Sequence, residues 1–366
     1  MVVGDRIGCG PVAEPVIAVV GGGQLARMMA PAAGELGVHL RVLVEARGGS
    51  ADQVVVDTPV GAASDEAAVR ALVRPADGPA ADVLTFEHEH VPNDLLADLI
   101  DSGVPVHPGP DALRHAQDKI VMRERLTALG VPCPRWAPLP RDPAEGAEAL
   151  GTFLAAVGGS AVVKTSRGGY DGKGVRVVTA PDGGPDLVED WFAGVAAGGP
   201  QLLVEEKVPF VRELAVLVAR RASGEVRTWP VVESVQRDGV CSEVVAPAPG
   251  LDDATAHRAR EIAVTIAEGL GVTGVLAVEL FEVASDDGPR LLVNELAMRP
   301  HNSGHWTIDG SVTSQFEQHL RAVLDLLSAT PARRRAGPSW PMCSGPLSTT
   351  PPTPSAPSSV SSRTPA

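Results

Sequence analysis

The order of apolar and polar positions predicts strands that alternate with helices in the first part of the chain. Pro15–Val20 is an apolar run of strand length, and residues from Gln24 to Leu36 follow a helical pattern. Leu40–Val44 and Asp82–Phe86 are two further strand candidates. Strands that alternate with helices favour a parallel sheet of the doubly wound type. Pro31 lies inside the first predicted helix, where a proline is expected to kink the axis.

A different succession of elements is predicted after residue 110. A helix is expected over Asp111–Leu129, with Asp111 as its N-cap, and the prolines between residues 132 and 140 mark a connection. The short turn between Gly274–Glu282 and Arg290–Glu295 predicts two antiparallel neighbours. The other predicted elements are strands at Ala161–Lys164, Gln201–Glu205, Leu214–Ala219 and Arg227–Glu233, and helices at Asp252–Leu270 and Ser311–Leu327.

Composition narrows the classes of partner. The formal net charge is -14, whereas a protein that binds duplex DNA usually carries a basic face, so no nucleic-acid partner is expected. The four cysteines form no Cys-x-x-Cys pair and no disulfide framework, which favours a reducing cytoplasm. No apolar stretch reaches the ~20 residues that a membrane-spanning helix needs. We therefore expect a cytoplasmic protein with no membrane partner.

The two ends of the chain differ from the rest. Residues 1–14 are expected to form a loose leader. After Thr330 the composition shifts to proline, serine and threonine without a hydrophobic period. Residues 331–366 are predicted to be disordered, because they bury too little apolar area to offset the entropy of ordering.

A first glycine-rich segment, Gly21–Ala26, follows the first strand and opens the first helix. It satisfies the pattern Gly-x-Gly-x-x-Ala, and an acid, Glu45, lies about 20 residues further on, as in dinucleotide-binding folds. This pattern supports an NAD(P)-dependent oxidoreductase as an alternative function. A tight strand-to-helix turn without a ligand is the simpler alternative.

A second glycine-rich segment follows the strand that ends at Lys164. Four of the seven residues in Gly168–Gly174 are glycine, so their N–H groups can fold over a triphosphate. Lys164 would supply a fixed cation and Lys173 a mobile one. A glycine-rich hairpin with two solvated lysines is the simpler alternative. Further along, Leu203–Val208 leads from a strand into groups able to hold an adenine edge, and Glu213 is a candidate for the ribose.

Acidic side chains lie on the two strands joined by the short turn. Glu279 shares one face of its strand with apolar residues, and Asn294 and Glu295 end the next strand. Unpaired carboxylates among apolar residues are costly, and a hard cation such as Mg²⁺ would offset that cost. The sequence therefore predicts a divalent-cation site that bridges nucleotide phosphates, unless both glutamates pair with arginines instead.

The segment Arg299–Trp306 contains a guanidinium, two imidazoles, an amide and a hydroxyl, and it has no hydrophobic period. A planar guanidinium suits the recognition of phosphate or carboxylate, so this loop is predicted to capture an anion beside the metal candidates.

These motifs together resemble the N5-carboxyaminoimidazole ribonucleotide synthetase family of the ATP-grasp superfamily. The resemblance rests on Lys164, Gly168–Gly174, Asn294–Glu295 and Arg299–Trp306, and also on Gly21–Met28 and Phe86–Glu89. It covers roughly residues 15–330. It implies an α/β chain with the ATP-grasp fold: a Rossmann-like pre-ATP-grasp domain with a parallel sheet at residues 15–110, and an α+β ATP-grasp domain at residues 111–330. A lid subdomain would span about residues 132–207.

The resemblance also implies a reaction. Members of the family carboxylate 5-aminoimidazole ribonucleotide with bicarbonate to form N5-carboxyaminoimidazole ribonucleotide in purine biosynthesis. ATP is split to ADP and phosphate, with carboxyphosphate as the presumed intermediate. The implied cofactors are ATP and Mg²⁺, with Mn²⁺ as a substitute, and the implied assembly is a homodimer.

Roles of individual residues follow from the same resemblance. The catalytic residues would be Arg299, Lys173 and Tyr170, and the ligands of Mg²⁺ would be Glu279 and Glu295. ATP would contact Arg114, Lys164, Gly168, Gly169, Tyr170, Asp171, Gly172, Lys173, Gly174, Glu205, Glu206, Lys207, Val208, Glu213, Asn294 and Glu295. The ribonucleotide or bicarbonate would contact Gln24, Leu25, Glu87, Arg299, His301, Asn302 and Ser303.

The chain departs from the family pattern after Thr330. Family members continue into further strands with a basic segment that binds the substrate phosphate, and no similar segment follows here. The tail, with Arg333–Arg335, is interpreted as a shifted reading frame. Each lost charge-assisted phosphate contact would weaken ribonucleotide binding by ~1.5–3 kcal/mol. A degenerate ligase that binds ATP without turnover is therefore a second alternative.

Overall fold

The structure of the chain, a computed structural model, describes residues 14–169, 174–237, 240–334 and 340–341. The predicted leader, apart from Glu14, lies outside the described residues. So do four predicted site residues, Tyr170, Asp171, Gly172 and Lys173, and most of the predicted tail.

The first domain contains a three-stranded parallel sheet. Strands β1 (Val16–Val20), β2 (His39–Leu43) and β3 (Val83–Phe86) lie in the order β2-β1-β3. The parallel sheet predicted from the alternating pattern is thus confirmed. Helix α1 (Gln24–Leu36) spans the predicted range and contains Pro31. The domain also includes α2 (Glu66–Val73) and α3 (Asn93–Asp101).

The helix predicted over Asp111–Leu129 is wrong in one respect, because it is two helices. Helix α4 (Pro110–Gln117) ends at Asp118, and α5 (Lys119–Ala128) begins there. Asp118 has an extended backbone, and its carboxylate accepts hydrogen bonds from the backbone N–H groups of Ile120 and Val121. The predicted N-cap is also wrong: Gly109 caps α4, and Pro110 takes the first helical position, where its missing N–H costs nothing.

A four-stranded antiparallel sheet follows and has its own core. Its strands are β4 (Trp136–Pro138), β5 (Ser160–Thr165), β6 (Val175–Thr179) and β7 (Leu202–Glu206), in the order β4-β7-β5-β6. Helices α6 (Pro143–Ala156) and α7 (Glu189–Ala196) pack apolar residues such as Leu150, Leu154 and Phe192 against it. The second glycine-rich segment connects β5 to β6.

The largest sheet carries the acidic strands. Its members are β8 (Arg212–Arg220), β9 (Val226–Thr228), β10 (Val232–Arg237), β11 (Val240–Val245), β12 (Gly274–Val283), β13 (Arg290–Ala297) and β14 (Trp340–Pro341). The order is β13-β12-β8-β10-β11-β14, with β9 beside β8. Helix α8 (Asp253–Gly269) is capped by Asp252. The strands β12 and β13 are antiparallel neighbours, as predicted.

Three other sequence predictions need correction. The strand expected over Arg227–Glu233 is interrupted between Thr228 and Val232, because Pro230 has no N–H to donate to a ladder. The final helix, predicted over Ser311–Leu327, is shorter: α10 spans Gln315–Val323, because the side chain of Ser314 caps its start. A separate short helix, α9 (Thr307–Gly310), precedes the predicted range. Disorder does not begin at Pro331, because the backbone N–H of Val312 bonds the carbonyl of Ala332 and that of Arg334 bonds the carbonyl of Gly310.

The parallel sheet and the largest sheet are joined through His319 of α10. This imidazole is fully buried, with Nε2 2.9 Å from Thr85 Oγ1 on β3, and its Nδ1 accepts a hydrogen bond from the Val275 N–H of β12 at 3.1 Å. Because Nδ1 is an acceptor, the proton is on Nε2, which donates to Thr85. Burial lowers the pKa of His319 from 6.5 to about 3.

We expect the stability of this junction to fall in acid. Below pH 6.5 the unfolded chain takes up a proton that folded His319 refuses, so this group destabilises the fold by about 1.4 kcal/mol per pH unit until its folded pKa is reached. His319→Gln should reduce the pH dependence of the free energy of unfolding by the contribution of one proton. Urea unfolding at pH 7 and pH 5 measures this dependence. His257→Gln is the control, because His257 is exposed on α8. An unchanged acid slope in His319→Gln would contradict the assignment.

Candidate active site

A cavity of about 560 Å³ lies where the four-stranded sheet faces the largest sheet. Side chains of both sheets line it, together with α4, α5 and the loop after β13. Fourteen residues predicted for the site contribute to its wall: Lys164, Gly168, Gly169, Glu205, Glu206, Lys207, Val208, Glu213, Glu279, Asn294, Glu295, Arg299, His301 and Asn302. The structure therefore brings most of the residues predicted from separate motifs to one cavity.

The acidic residues converge because of a β-bulge. The pairing of β12 with β13 runs from Val278 opposite Leu296 to Leu280 opposite Val293, so that Glu279 alone faces both Asn294 and Glu295. A bulge of this kind re-aims side chains that a regular ladder would send to opposite faces. All three polar side chains thereby line the same cavity.

Glu279 is the most strongly perturbed carboxyl group of this cluster. Burial, reinforced by the nearby carboxylates Glu295 and Glu213, raises its pKa from 4.5 to about 8. His301 Nε2 lies 3.6 Å from Glu279 Oε1, but burial lowers the pKa of His301 to about 3. That imidazole is neutral at physiological pH, so the contact is not an ion pair and does not stabilise the ionised form of Glu279.

This donor set fits a divalent cation that also binds phosphate oxygens. Among the described residues, no group of three or more histidine, cysteine, aspartate or glutamate side chains forms a complete metal cage. Mg²⁺ usually takes one or two carboxylates and completes its shell with water and phosphates, so a pair of glutamates is sufficient. The raised pKa of Glu279 is the expected property of a carboxylate whose charge a cation would neutralise.

A buried network holds the fixed cation. The ammonium of Lys164 lies 2.8 Å from Glu205 Oε2 and 3.3 Å from Asn294 Oδ1, and Arg123 Nε lies 2.6 Å from Glu205 Oε1. Despite burial, Arg123 and Lys164 lower the pKa of Glu205 to about 2, so it is ionised. Because Arg123 and Lys164 occupy its carboxylate, Glu205 has no free carboxylate oxygen to offer a ligand directly.

Two described residues that were predicted to contact ATP, Gly174 and Arg114, do not line the cavity. Arg114 lies on an outer face of the protein. Its guanidinium pairs with Asp111 on the exposed side of α4, at 2.6 Å. Lys119 takes the place next to the acidic cluster, with Nζ 3.6 Å from Glu295 Oε1. The sequence prediction missed Lys119 because a continuous helix was assumed, whereas the cap at Asp118 turns the chain so that Lys119 enters the cavity.

The distribution of lysine supports the location of the site. The chain contains only four lysines, Lys119, Lys164, Lys173 and Lys207, among 31 basic residues. Three of them line the cavity, and Lys173 belongs to the glycine-rich segment outside the described residues. Every lysine of this arginine-rich chain therefore belongs to the cavity wall or to the segment beside it.

The first glycine-rich segment does not present a free helix N-terminus. The carboxylate of Glu87 accepts hydrogen bonds from the backbone N–H groups of Gly23 at 2.6 Å and Ala26 at 2.8 Å. These donors are the ones that a dinucleotide pyrophosphate would need, so the geometry disfavours the NAD(P) alternative. Gln24, Leu25 and Glu87 also lie outside the cavity wall, and Glu87 instead caps α1 from the end of β3.

The loop after β13 is fixed by a buried amide. Gln315 Oε1 accepts from the His301 N–H at 2.9 Å, and Gln315 Nε2 donates to the His301 carbonyl at 2.8 Å. Ser303 is fully buried and its Oγ lies 2.9 Å from His301 Nδ1, so it orients the imidazole without lining the cavity. Gln315 is a fully buried polar residue at the start of α10, and its only signal in the sequence is its position at the start of the last amphipathic helix.

Glu89 faces Arg299 with unused bonding capacity. Arg299 Nε lies 3.0 Å from Glu89 Oε1, yet the two groups are not aligned as a hydrogen bond, and neither carboxylate oxygen of Glu89 has a hydrogen-bond partner among the described residues. Both residues line the cavity. Buried polar atoms without partners are rare, so this corner is suited to a polar ligand.

The cavity wall also includes apolar residues. Phe210 stacks on Phe281 with ring centroids 4.7 Å apart and an interplanar angle of 13°. Val162, Val175 and Val177 are further apolar residues of the wall. A flat apolar surface beside cations and carboxylates suits a ligand with a planar ring at one end and anionic groups at the other.

Comparisons with known proteins agree with this geometry. The model of the ribonucleotide synthetase preATP-grasp domain matches residues 15–117, and that of the ATP-grasp domain matches residues 124–316. The N5-carboxyaminoimidazole ribonucleotide synthase of Corynebacterium ammoniagenes is 54% identical over 312 residues, which cover 85% of this chain and 72% of that protein.

Solved structures give the same result. The carboxyaminoimidazole ribonucleotide synthase of Aspergillus clavatus complexed with ATP has a TM-score of 0.77 and 33% identity, covering 88% of this chain and 80% of that chain. The enzyme of the same organism in complex with ADP and 5-aminoimidazole ribonucleotide has a TM-score of 0.75 and 32% identity, covering 87% and 79%. The predicted ATP-grasp fold with an N-terminal pre-ATP-grasp domain is confirmed. The chain therefore belongs to the N5-carboxyaminoimidazole ribonucleotide synthase family of ATP-grasp ligases.

Proposed function

We propose that this chain carboxylates 5-aminoimidazole ribonucleotide with bicarbonate, splitting ATP to ADP and phosphate. The observation that carries the proposal is the bulge that aims Glu279, Asn294 and Glu295 into the cavity lined by Lys164 and Arg299. Phosphoryl transfer to bicarbonate needs positioning and neutralisation of charge rather than a covalent nucleophile, and this cavity supplies both.

The residues divide the work by their chemistry. Lys164 and Lys119 are fixed cations for nucleotide phosphates, and the stacked Phe210 and Phe281 suit the adenine ring. A bound Mg²⁺, held by Glu279 and Glu295, would neutralise phosphate charge. Arg299 presents hydrogen-bond donors that suit an anionic reactant, such as bicarbonate or an acyl phosphate. The glycines at 168 and 169, both at positive φ, begin a segment suited to covering the phosphates.

The test is a coupled assay of ADP release. We expect release to require bicarbonate and 5-aminoimidazole ribonucleotide together with a divalent cation. If the protein binds ATP but the ribonucleotide does not stimulate ADP release, the result would favour the degenerate ligase and would argue against the proposed activity. Binding of NADH without binding of ATP would favour the oxidoreductase instead.

Amine labelling tests the location of the site independently of turnover. Because the four lysines all belong to the cavity or to the glycine-rich segment beside it, reductive methylation should be suppressed at Lys119, Lys164 and Lys207 by saturating ATP and Mg²⁺. Peptide mass spectrometry measures the protection at each lysine, with the N-terminal amine as the internal control. Equal labelling with and without nucleotide would contradict the placement of ATP here.

The assembly and location of the enzyme are part of the same proposal. No helix in the described ranges is long and apolar enough to cross a bilayer. The free thiols of Cys133 and Cys241 fit a reducing compartment such as the cytoplasm. The homodimer, and Mg²⁺ with Mn²⁺ as a substitute, are proposed from the family resemblance. Light scattering at micromolar concentration checks the dimer, and metal titration of the apoenzyme checks the cation.

A further inference from the structure

Arg123 on α5 is a fully buried arginine that touches three parts of the site without lining the cavity. Its Nε bonds Glu205 of β7 at 2.6 Å. Its two terminal nitrogens donate to the backbone carbonyls of Val293 at 2.9 Å and Asn294 at 2.7 Å. One planar group therefore connects a helix, the four-stranded sheet and the largest sheet.

The two carbonyls belong to the bulge that aims the acidic residues. Val293 precedes Asn294 and Glu295 in the stretch where two residues of β13 face Glu279 alone. β13 is the outermost strand of its sheet, and the Val293 N–H bonds the Pro132 carbonyl instead of β12, so the backbone beside the bulge needs partners outside the ladder. A buried carbonyl without a partner is costly. Arg123 satisfies these carbonyls, so it stabilises the local backbone that sets the directions of Asn294 and Glu295.

The same guanidinium sets the charge around Lys164. Glu205 is shared between Arg123 and Lys164, at 2.6 Å and 2.8 Å, and all three side chains are less than a tenth exposed. Two cations around one carboxylate leave a net positive charge, of which only Lys164 faces the cavity. Without Arg123, Glu205 would be fully available to Lys164 and would offset its attraction for phosphate.

We infer that Arg123 is a positioning residue of this active site, which holds the metal-binding bulge and keeps Lys164 available for nucleotide. The inference rests on the proposed function only for the identity of the ligands. Residues that orient metal ligands typically change metal affinity or activity by about 10–100-fold when they are replaced. Arg123→Lys keeps the charge but loses the fork that reaches Glu205 and both carbonyls at once.

The experiment measures binding of Mn²⁺ and ADP to Arg123→Lys, with Mn²⁺ detected by electron paramagnetic resonance and ADP by calorimetry. We expect the Kd of Mn²⁺ in the presence of ADP to rise about tenfold at a temperature well below the Tm. The KM for 5-aminoimidazole ribonucleotide should stay within about twofold of wild type in the same variant, because Arg123 bonds only Glu205 and the backbone of Val293 and Asn294, which are assigned to metal and phosphate.

Arg125→Lys is the matched control, since Arg125 lies on the exposed side of the same helix and donates to the Gly269 carbonyl. If Arg123→Lys lowers the Tm while Mn²⁺ affinity matches the control, Arg123 is only structural and the inference fails. If Arg123→Lys does not fold, the charge-balanced pair Arg123→Met with Glu205→Gln replaces it, with the same criterion. Wild type that binds Mn²⁺ and ADP without ribonucleotide-dependent turnover would remove the proposed function and leave this inference open to the same binding test.

Discussion

Glu279→Gln is expected to reduce ribonucleotide-dependent ADP release by about 10²–10³-fold, because a metal ligand that stabilises charge in the transition state contributes several kcal/mol. The same change should raise the Tm of the metal-free protein at pH 8. A variant that is more stable and far less active would show that Glu279 lowers the stability of the metal-free protein and is required for activity.

The sign of the stability change follows from the pKa of Glu279. The folded value of about 8 lies above the ordinary 4.5, so between these pH values the folded protein keeps a proton that the unfolded chain has released. The contribution of this group to stability is therefore complete below pH 4.5 and is lost as the pH rises towards 8, by roughly 1.4 kcal/mol per pH unit. Glutamine is neutral at every pH and removes this loss.

Scanning calorimetry at pH 5 and pH 8, without metal, measures the effect. Glu295→Gln is the comparison within the site: it should lose activity too, but its side chain is 40% exposed and lies beside Lys119, so no gain in Tm is expected. Glu261→Gln on the exposed face of α8 controls for the removal of a charge. A Tm for Glu279→Gln at pH 8 that is equal to or below wild type would contradict the partly buried, unpaired state of Glu279.

Metal binding should depend on the same proton. Because the carboxylate must be ionised to bind a cation, the affinity for Mg²⁺ with ADP is expected to rise with pH and to level off above about pH 8. In Glu279→Gln the residual affinity should be independent of pH over this range. Calorimetric titration in buffers of different ionisation enthalpy reports the proton released by wild type.

Arg299→Met is expected to lower kcat by about 10²–10³-fold while the Kd of ADP stays within about twofold of wild type. The removal of a fixed donor that stabilises developing negative charge has a cost of this size, and Arg299 lies beside Glu89 rather than beside Lys164. The split between kcat and nucleotide affinity separates this residue from the cations that bind phosphate.

Arg290→Met provides the control for Arg299, since Arg290 is exposed at the start of the same strand, β13. The double variant Arg299→Met with Glu89→Gln distinguishes loss of an anion contact from damage caused by an unpaired buried carboxylate. Recovery of turnover in the double variant would mean that Arg299 serves mainly to neutralise Glu89, and it would refute the proposed contact with the reactant anion.

Hydrophobic periodicity, glycine spacing and turn length in the sequence were sufficient to predict many of the secondary-structure elements and several site residues. They were sufficient for the helix from Gln24 to Leu36 and for the antiparallel pair that carries Glu279 and Glu295, because both depend on contacts that are local in sequence. The parallel sheet pairs residues far apart in the chain, such as Ile17 with Val83, and it was predicted from the alternation of strands and helices. The same local signals placed Lys164 and Arg299 among the candidates, and the family resemblance joined them into one expected site.

Tertiary structure decided what each polar group is free to do. Glu87 caps α1, Glu205 is shared by two cations, and Arg114 lies on an outer face, although in the sequence all three resemble ligand contacts. Arg123 bonds partners that are 82 and 170 residues away in the chain. Gln315 bonds a partner that is 14 residues away. Long-range pairing of buried charges leaves no periodic signal, because the cost of burial is met by whichever partner the fold brings within about 3 Å.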